Sequence, residues 1–179
     1  MRFNRAFCMP DRYTFRMKPV AELLDRYQVD PKRAADPFCG LSERAYWRCD
    51  LAPRPGDAGM RMDAIRYLDH LITNTVEVDL VFLDPPYSPR QIKEVYEAVG
   101  LEVSQTDTQN ARLYSECRKR MDKILTPNGI AISCGWNSTG FGRQELGGAI
   151  HQYTIEEILL VNHGGAHHDT IVMVERKKP

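Results

Sequence analysis

A nearly unbroken apolar run that ends in two prolines constrains this chain more than any other feature. Val78-Asp79-Leu80-Val81-Phe82-Leu83 has the length and composition of a strand covered on both faces, as in parallel sheets flanked by helices. It stops at Asp84-Pro85-Pro86-Tyr87, since proline donates no ladder hydrogen bond and restricts the residue before it. Ser88 and Pro89 then offer a helix start, with Ile92, Val95, Tyr96 and Val99 on one face and Gly100 as the stop. Strand, stiff turn and helix in succession are the building unit of doubly wound α/β sheets.

The rest of the chain alternates in the same way. Pro19 suits a first helical turn leading Val20, Leu23, Leu24 and Tyr27. A short strand over 33–38 ends in the turn Cys39-Gly40, and a second over 45–51 runs into a Pro/Gly-rich loop at 52–59. Asp63 can cap a helix carrying Ile65, Leu68, Leu71 and Ile72. The polar stretch 101–110 reads as a mobile loop. Leu113, Cys117, Met121, Ile124 and Leu125 mark another helix, halted by Thr126-Pro127-Asn128-Gly129. A strand over 130–135 follows, then a Gly-rich loop over 137–150. Two last strands near 156–162 and 170–175 have no helix between them and are expected to pair antiparallel. Residues 1–16 show no periodicity and read as an arm. The pattern predicts a Rossmann-like, doubly wound sheet, mostly parallel with an antiparallel C-terminal strand, in one domain over 1–179.

Composition excludes several classes. Lys and Arg number 24 and Asp and Glu 24, so any nucleic-acid binding must come from a local patch. Arg2, Arg5, Arg12, Arg16 and Lys18, opposed only by Asp11, offer one. Five widely spaced cysteines without a CxxC pair argue against a disulfide framework and a zinc site, and Cys49, Cys117 and Cys134 fit the core. No signal-peptide core or membrane-length apolar run is present, so a cytoplasmic protein is expected. His163, His167 and His168 beside Asp169 have metal-ligand chemistry, but a Gly-Gly loop does not fix ligands, and no metal is expected.

The chemistry of Asp84-Pro85-Pro86-Tyr87 follows from its position. In open α/β sheets ligands bind outside the carboxyl ends of the strands. There a stiff loop presents outward carbonyls, the Asp84 carboxylate and the Tyr87 ring. This set suits an amino group on a flat ring, whose lone pair is delocalised and weakly nucleophilic. Acceptors at its hydrogens (Asp84 and the Pro85 carbonyl) favour pyramidal nitrogen and stabilise the charge that grows during attack on a sulfonium methyl. Tyr87 would stack on the base, a contact of about 1–3 kcal/mol. A base in a duplex would have to be flipped out.

On these residues the chain resembles the amino-methyltransferases of DNA, whose motif is [DNS]PP[YFW] after a buried strand. The Asp form is similar to the adenine-N6 branch. MRFNRAF, TFRMKP, DPFCG, DPPYSPRQ, GWNSTG and EEILLVNHGGAHHDTI look like small phage- or prophage-type adenine methyltransferases, so the resemblance covers nearly the whole chain. It implies S-adenosylmethionine as cofactor and methylation of adenine N6 in DNA, with Asp84, Pro85, Pro86 and Tyr87 catalytic. The cofactor would be faced by Lys18, Pro19, Asp36, Pro37, Phe38, Gly40, Asp50, Asp63, Ala64 and Asp84. Tyr87, Trp136 and Asn137 would line the base pocket. The family's FxGxG turn is incomplete here, because Ser42 replaces the second glycine.

No dedicated target-recognition segment is visible. Recognition is therefore expected from the N-terminal arm, from the 101–112 and 137–150 loops, or from a second subunit, either another copy or an accessory chain. Competing readings are guanine-N2 or adenine-N6 methylation of RNA, protein glutamine methylation, and a non-catalytic relic that binds nucleic acid or cofactor.

Overall fold

The computed structural model describes residues 1–52, 59–100, 110–136, 139–146, 149–165 and 167–179. Its strands are β1 (Arg2–Phe7), β2 (Ala34–Asp36), β3 (Trp47–Asp50), β4 (Met60–Arg61), β5 (Val78–Leu83), β6 (Leu125–Gly135), β7 (Arg143–Leu146), β8 (Ala149–Asn162) and β9 (Thr170–Lys177). Its α-helices are α1 (Lys18–Arg26), α2 (Ala64–Thr73), α3 (Pro89–Ala98) and α4 (Asn110–Ile124). The strands form one sheet in the order β4-β3-β2-β5-β6-β9-β8-β1, with β7 paired to β8. Along that order only β9 runs against its neighbours. The fold is the expected mixed sheet, mostly parallel, with the antiparallel strand at the C-terminus.

The apolar run became β5, with every residue but Asp79 buried. Asp79 is tolerated at the strand's first turn of pleat because Arg33 clamps it through Nε and Nη2, at 2.9 and 2.8 Å, and Thr126 donates to it at 2.7 Å. On one face α1 inserts Val20, Leu23 and Leu24 against Leu80, Phe82, Ile132 and Val174. On the other, α2 and α4 bring Tyr67, Leu68, Leu71, Cys117 and Met121 against Val81, Leu83 and Ala131. Cys49, Cys117 and Cys134 are fully buried free thiols. Among the described residues no helix is long and apolar enough to cross a membrane.

The structure corrects two sequence expectations. The arm contains a strand: β1 pairs parallel with β8 from Arg2↔Glu157 to Phe7↔Asn162. Its side chains are exposed except for the half-buried Ala6, so the strand carries no hydrophobic alternation; backbone pairing and the Asn4–Glu157 hydrogen bond hold it. The Gly-rich stretch 137–150 holds β7 and the start of β8, an antiparallel hairpin. Glycines at positive φ, Gly140 and Gly142, look like loop residues, yet Glu175 on β9 accepts the Phe141 and Gly142 N–H groups and fixes this turn to the sheet. Of the expected 101–110 loop, residues 101–109 lie outside the described residues and Asn110 opens α4.

Candidate active site at the switch point of the sheet

From β2 the chain winds outward through β3 and β4, then returns to place β5 on the other side of β2. Such a reversal opens a crevice at the carboxyl ends of the two central strands. A cavity of about 870 Å³ lies there. Pro37, Phe38 and Gly40 follow β2 into it, Asp50 comes from the end of β3, Asp63 and Ala64 from the start of α2, and Asp84-Pro85-Pro86-Tyr87 from the end of β5.

Two carboxyl groups stand at the ends of the central strands: Asp84 lines the cavity, whereas Asp36, expected to face it, is not among its lining residues. Asp36, at the end of β2, is fully buried. Its Oδ1 accepts the Phe38 N–H at 3.0 Å, while Oδ2 is buried with no hydrogen-bond partner among the described residues. Burial pushes its carboxyl up to about 8, with the nearby Asp84 and Asp50 adding to the effect and the Phe38 N–H opposing it. Asp84 is pushed up to about 6 by desolvation, against hydrogen bonds from the Tyr87 and Thr14 hydroxyls. Tyr87 folds back so that its hydroxyl donates to Asp84 Oδ1 and lies 3.0 Å from Thr14 Oγ1. Burial, then the Asp84 charge, holds the Tyr87 phenol well above its usual range. Gln91 Oε1 accepts the Tyr87 N–H at 2.7 Å and fixes the backbone of the motif.

The turn after β2 closes without a second glycine. Gly40 sits at φ +53°, and a Cβ there would stand 3.2 Å from the Tyr13 ring, so glycine is needed on both counts. Ser42 is not at positive φ; its N–H donates to the Cys39 carbonyl at 2.7 Å. Asp50 braces this turn, taking the Gly40 N–H on Oδ2 at 3.0 Å and the Ala52 N–H on Oδ1 at 2.9 Å. A carboxylate has about four lone-pair sites, so Asp50 retains acceptor capacity toward the cavity. Asp63 caps α2 through Oδ1, which accepts from Ile65 and Arg66, and its Oδ2 takes the Tyr96 hydroxyl at 3.0 Å.

A second cavity of about 540 Å³ adjoins the first, and Arg12, Thr14, Tyr87 and Gln91 line both. Its far wall is Trp136, His163, His167 and His168. Tyr87 meets Trp136 edge-on at 5.3 Å, and Trp136 lies over His168 at 4.8 Å. Asn137 lies outside the described residues. Lys18 and Pro19 line neither cavity: they form the first turn of α1, where Lys18 is exposed beside Glu22. His163 is committed to the fold, with Nδ1 2.6 Å from the Cys8 carbonyl and Nε2 2.9 Å from Thr170 Oγ1. Asp169 accepts from Asn162 and the His163 N–H, closing the β8–β9 turn. Among the described residues no three ligating side chains gather.

The sequence placed Arg12 only in a basic patch and Tyr96 only on a helix face, and it assigned no role to Tyr13, Thr14 or Gln91. Gln91 sits one turn into α3 directly after the motif and was the most findable. Thr14 reaches Tyr87 from 73 positions away and carried no local signal.

No known family's sequence profile matches the chain, and no curated protein sequence does. Solved structures do match it in fold. A protein from Streptococcus mutans assigned as an S-adenosylmethionine-dependent methyltransferase superposes with TM-score 0.55 and 16% identity, over 88% of this chain and 48% of its own. TrmN from Thermus thermophilus gives 0.51 and 17%, over 92% and 51%. The 1,6-didemethyltoxoflavin-N1-methyltransferase of Burkholderia thailandensis, solved with its substrate and S-adenosylhomocysteine, gives 0.54 and 14%, over 90% and 78%. The chain thus spans about half the length of the first two. With its strand order, switch-point crevice and these likenesses together, the chain has the Rossmann-like fold of S-adenosylmethionine-dependent methyltransferases.

Proposed function

We propose that the protein transfers a methyl group from S-adenosylmethionine to the N6 amino group of adenine in DNA. The observation that carries this reading is that Asp84-Pro85-Pro86-Tyr87 lines the larger cavity while its Tyr87 also lines the smaller one. A donor in the larger cavity and a ring entering from the smaller one past Tyr87 would meet at this loop.

The residues of the larger cavity fit the cofactor. Asp50 and Asp84 line it, and the desolvated Asp84 carboxyl favours a ligand bearing positive charge. S-adenosylmethionine has an ammonium and a sulfonium, and when bound it supplies an activated methyl group. Gly40 and Phe38 would hold its methionine part, Asp50 its ribose hydroxyls, and the Asp63-Ala64 start of α2 its adenine. The closed turn at Ser42 supports a working site over a relic.

A ring entering from the smaller cavity past Tyr87 would bring its amine to Asp84. Arrival of a base exchanges one donor for another: the Tyr87 hydroxyl leaves Asp84 Oδ1 and an amine hydrogen replaces it. Ionised Asp84 and the Pro85 carbonyl then hold both amine hydrogens, and Pro86 keeps the loop stiff. Tyr87 and Trp136 flank the ring. Proximity of the two reactants supplies much of the acceleration, and Asp84 stabilises charge developing on nitrogen.

Labelled S-adenosylmethionine with unmodified DNA should yield N6-methyladenine, and Asp84→Ala should fold yet lose at least about a hundredfold in rate. Label found only in RNA, or only at another base, would refute the assignment.

A further inference from the structure

The outer side of β1 has no role in the site so far described. Alternation along this strand places Asn4 and Ala6 inward: Asn4 donates to the buried Glu157 at 2.7 Å and Ala6 joins the apolar cluster under α1. Phe3, Arg5 and Phe7 therefore share the opposite side. Phe3 is 63% exposed and Phe7 66%, in a chain where most aromatic rings are covered. They stand about 13 Å apart along the strand with Arg5 midway.

This side leads to the second cavity. β1 runs parallel to β5 within the sheet, so its Phe7 end emerges on the same side as Asp84. The Phe7 ring lies 3.4 Å from the position a Cβ on Gly164 would take. The next residues of that turn, Gly165, His167 and His168, form the cavity wall.

We propose that the outer side of β1 is a track for a single-stranded stretch of nucleic acid leading into the second cavity. Bases stack on Phe3 and Phe7, Arg5 takes a phosphate between them, and the strand continues over the Gly164–Gly165 turn toward Trp136 and Tyr87. Exposed aromatics on an open sheet, interleaved with cations, are how single strands are held without reading sequence. Charge selects this occupant over a protein. Arg5 stands between the two rings and Arg12 lines the second cavity, in a chain of zero net charge, whereas the centre of a protein interface is depleted of charge. The inference rests on the substrate being a nucleic acid.

The test is fluorescence anisotropy of a labelled single-stranded oligodeoxynucleotide with the full chain and S-adenosylhomocysteine. Phe3→Ala with Phe7→Ala should weaken binding about tenfold or more. Arg5→Gln should reduce the slope of log affinity against log salt by about 0.7, and Phe7→Trp should retain wild-type affinity. All three should keep the wild-type melting temperature and cofactor affinity, because these side chains lie on the surface outside the cofactor cavity. Unchanged oligonucleotide affinity in the double variant, with wild-type methylation intact, would overturn the track and leave the proposed reaction standing. A wild-type protein that binds no polynucleotide would overturn both. A dimer that dissociates on Phe3→Ala/Phe7→Ala without loss of oligonucleotide affinity would overturn the track in favour of self-association.

Discussion

Asp84 and Asp36 end two adjacent strands, and each is pushed up by burial before anything else. For Asp84 the consequence is an acidic limb in the pH dependence of kcat/KM near 6, because only the ionised form stabilises positive charge growing on the amine. The Tyr87 hydroxyl bond lowers this value. Tyr87→Phe, which keeps the ring, should therefore move the limb to higher pH, and a limb that stays in place would show that the hydroxyl does not tune Asp84. Asp36 makes a different prediction. Its folded value, about 8, lies above the ordinary 3.8, so the folded state binds the extra proton, and stability is lost as pH rises from about 4 to about 8. Asp36→Asn should flatten this decline, giving a higher melting temperature than wild type at pH 9.

At the scale of elements, Asp63 does two jobs that sequence alone could not separate. It was expected either to cap α2 or to face the cofactor, and it caps α2 while also binding the Tyr96 hydroxyl of α3. Asp63→Ala should cost about 1 kcal/mol for the cap, read as a lower midpoint in urea unfolding. It should also weaken cofactor binding, since α2 and α3 both border the larger cavity. The helices were legible because caps and 3.6-residue spacing are local: Asp63 and Ser88 accept from their first-turn N–H groups as expected. β1 and β7 were not legible. One is a nearly exposed edge strand and the other a hairpin arm flanked by glycines, so neither alternates in hydrophobicity, and both depend on distant partners on β8.

Across the whole molecule, Glu157 ties three parts of the fold together. It is fully buried and accepts from Arg26 at 2.5 Å, Tyr27 at 3.0 Å and Asn4 at 2.7 Å, joining β8 to α1 and β1. Glu157→Ala strands three donors, two of them on half-exposed side chains that water can reach. A loss of about 2 kcal/mol is expected from this, and hydrogen exchange should show β1 opening ahead of β6. Unchanged protection of β1 would mean that its backbone ladder alone holds it.

The sequence by itself determined β5, its abrupt end at Asp84-Pro85-Pro86-Tyr87, and the helix that follows. Apolar continuity, proline stereochemistry and capping all act within a few residues. From these came the doubly wound sheet and a crevice facing Pro37, Phe38, Gly40, Asp50 and Ala64. Only the tertiary structure decided the rest: Thr14 and Gln91 converge on Tyr87; Lys18, Pro19 and Asp36 stay outside the cavity lining; and Asp36 keeps an oxygen with no partner among the described residues. It also decided that two cavities meet at one loop. These depend on which strands become neighbours across the switch point and on how far water is excluded there. Both are properties of contacts between residues far apart in the chain, which no local pattern encodes.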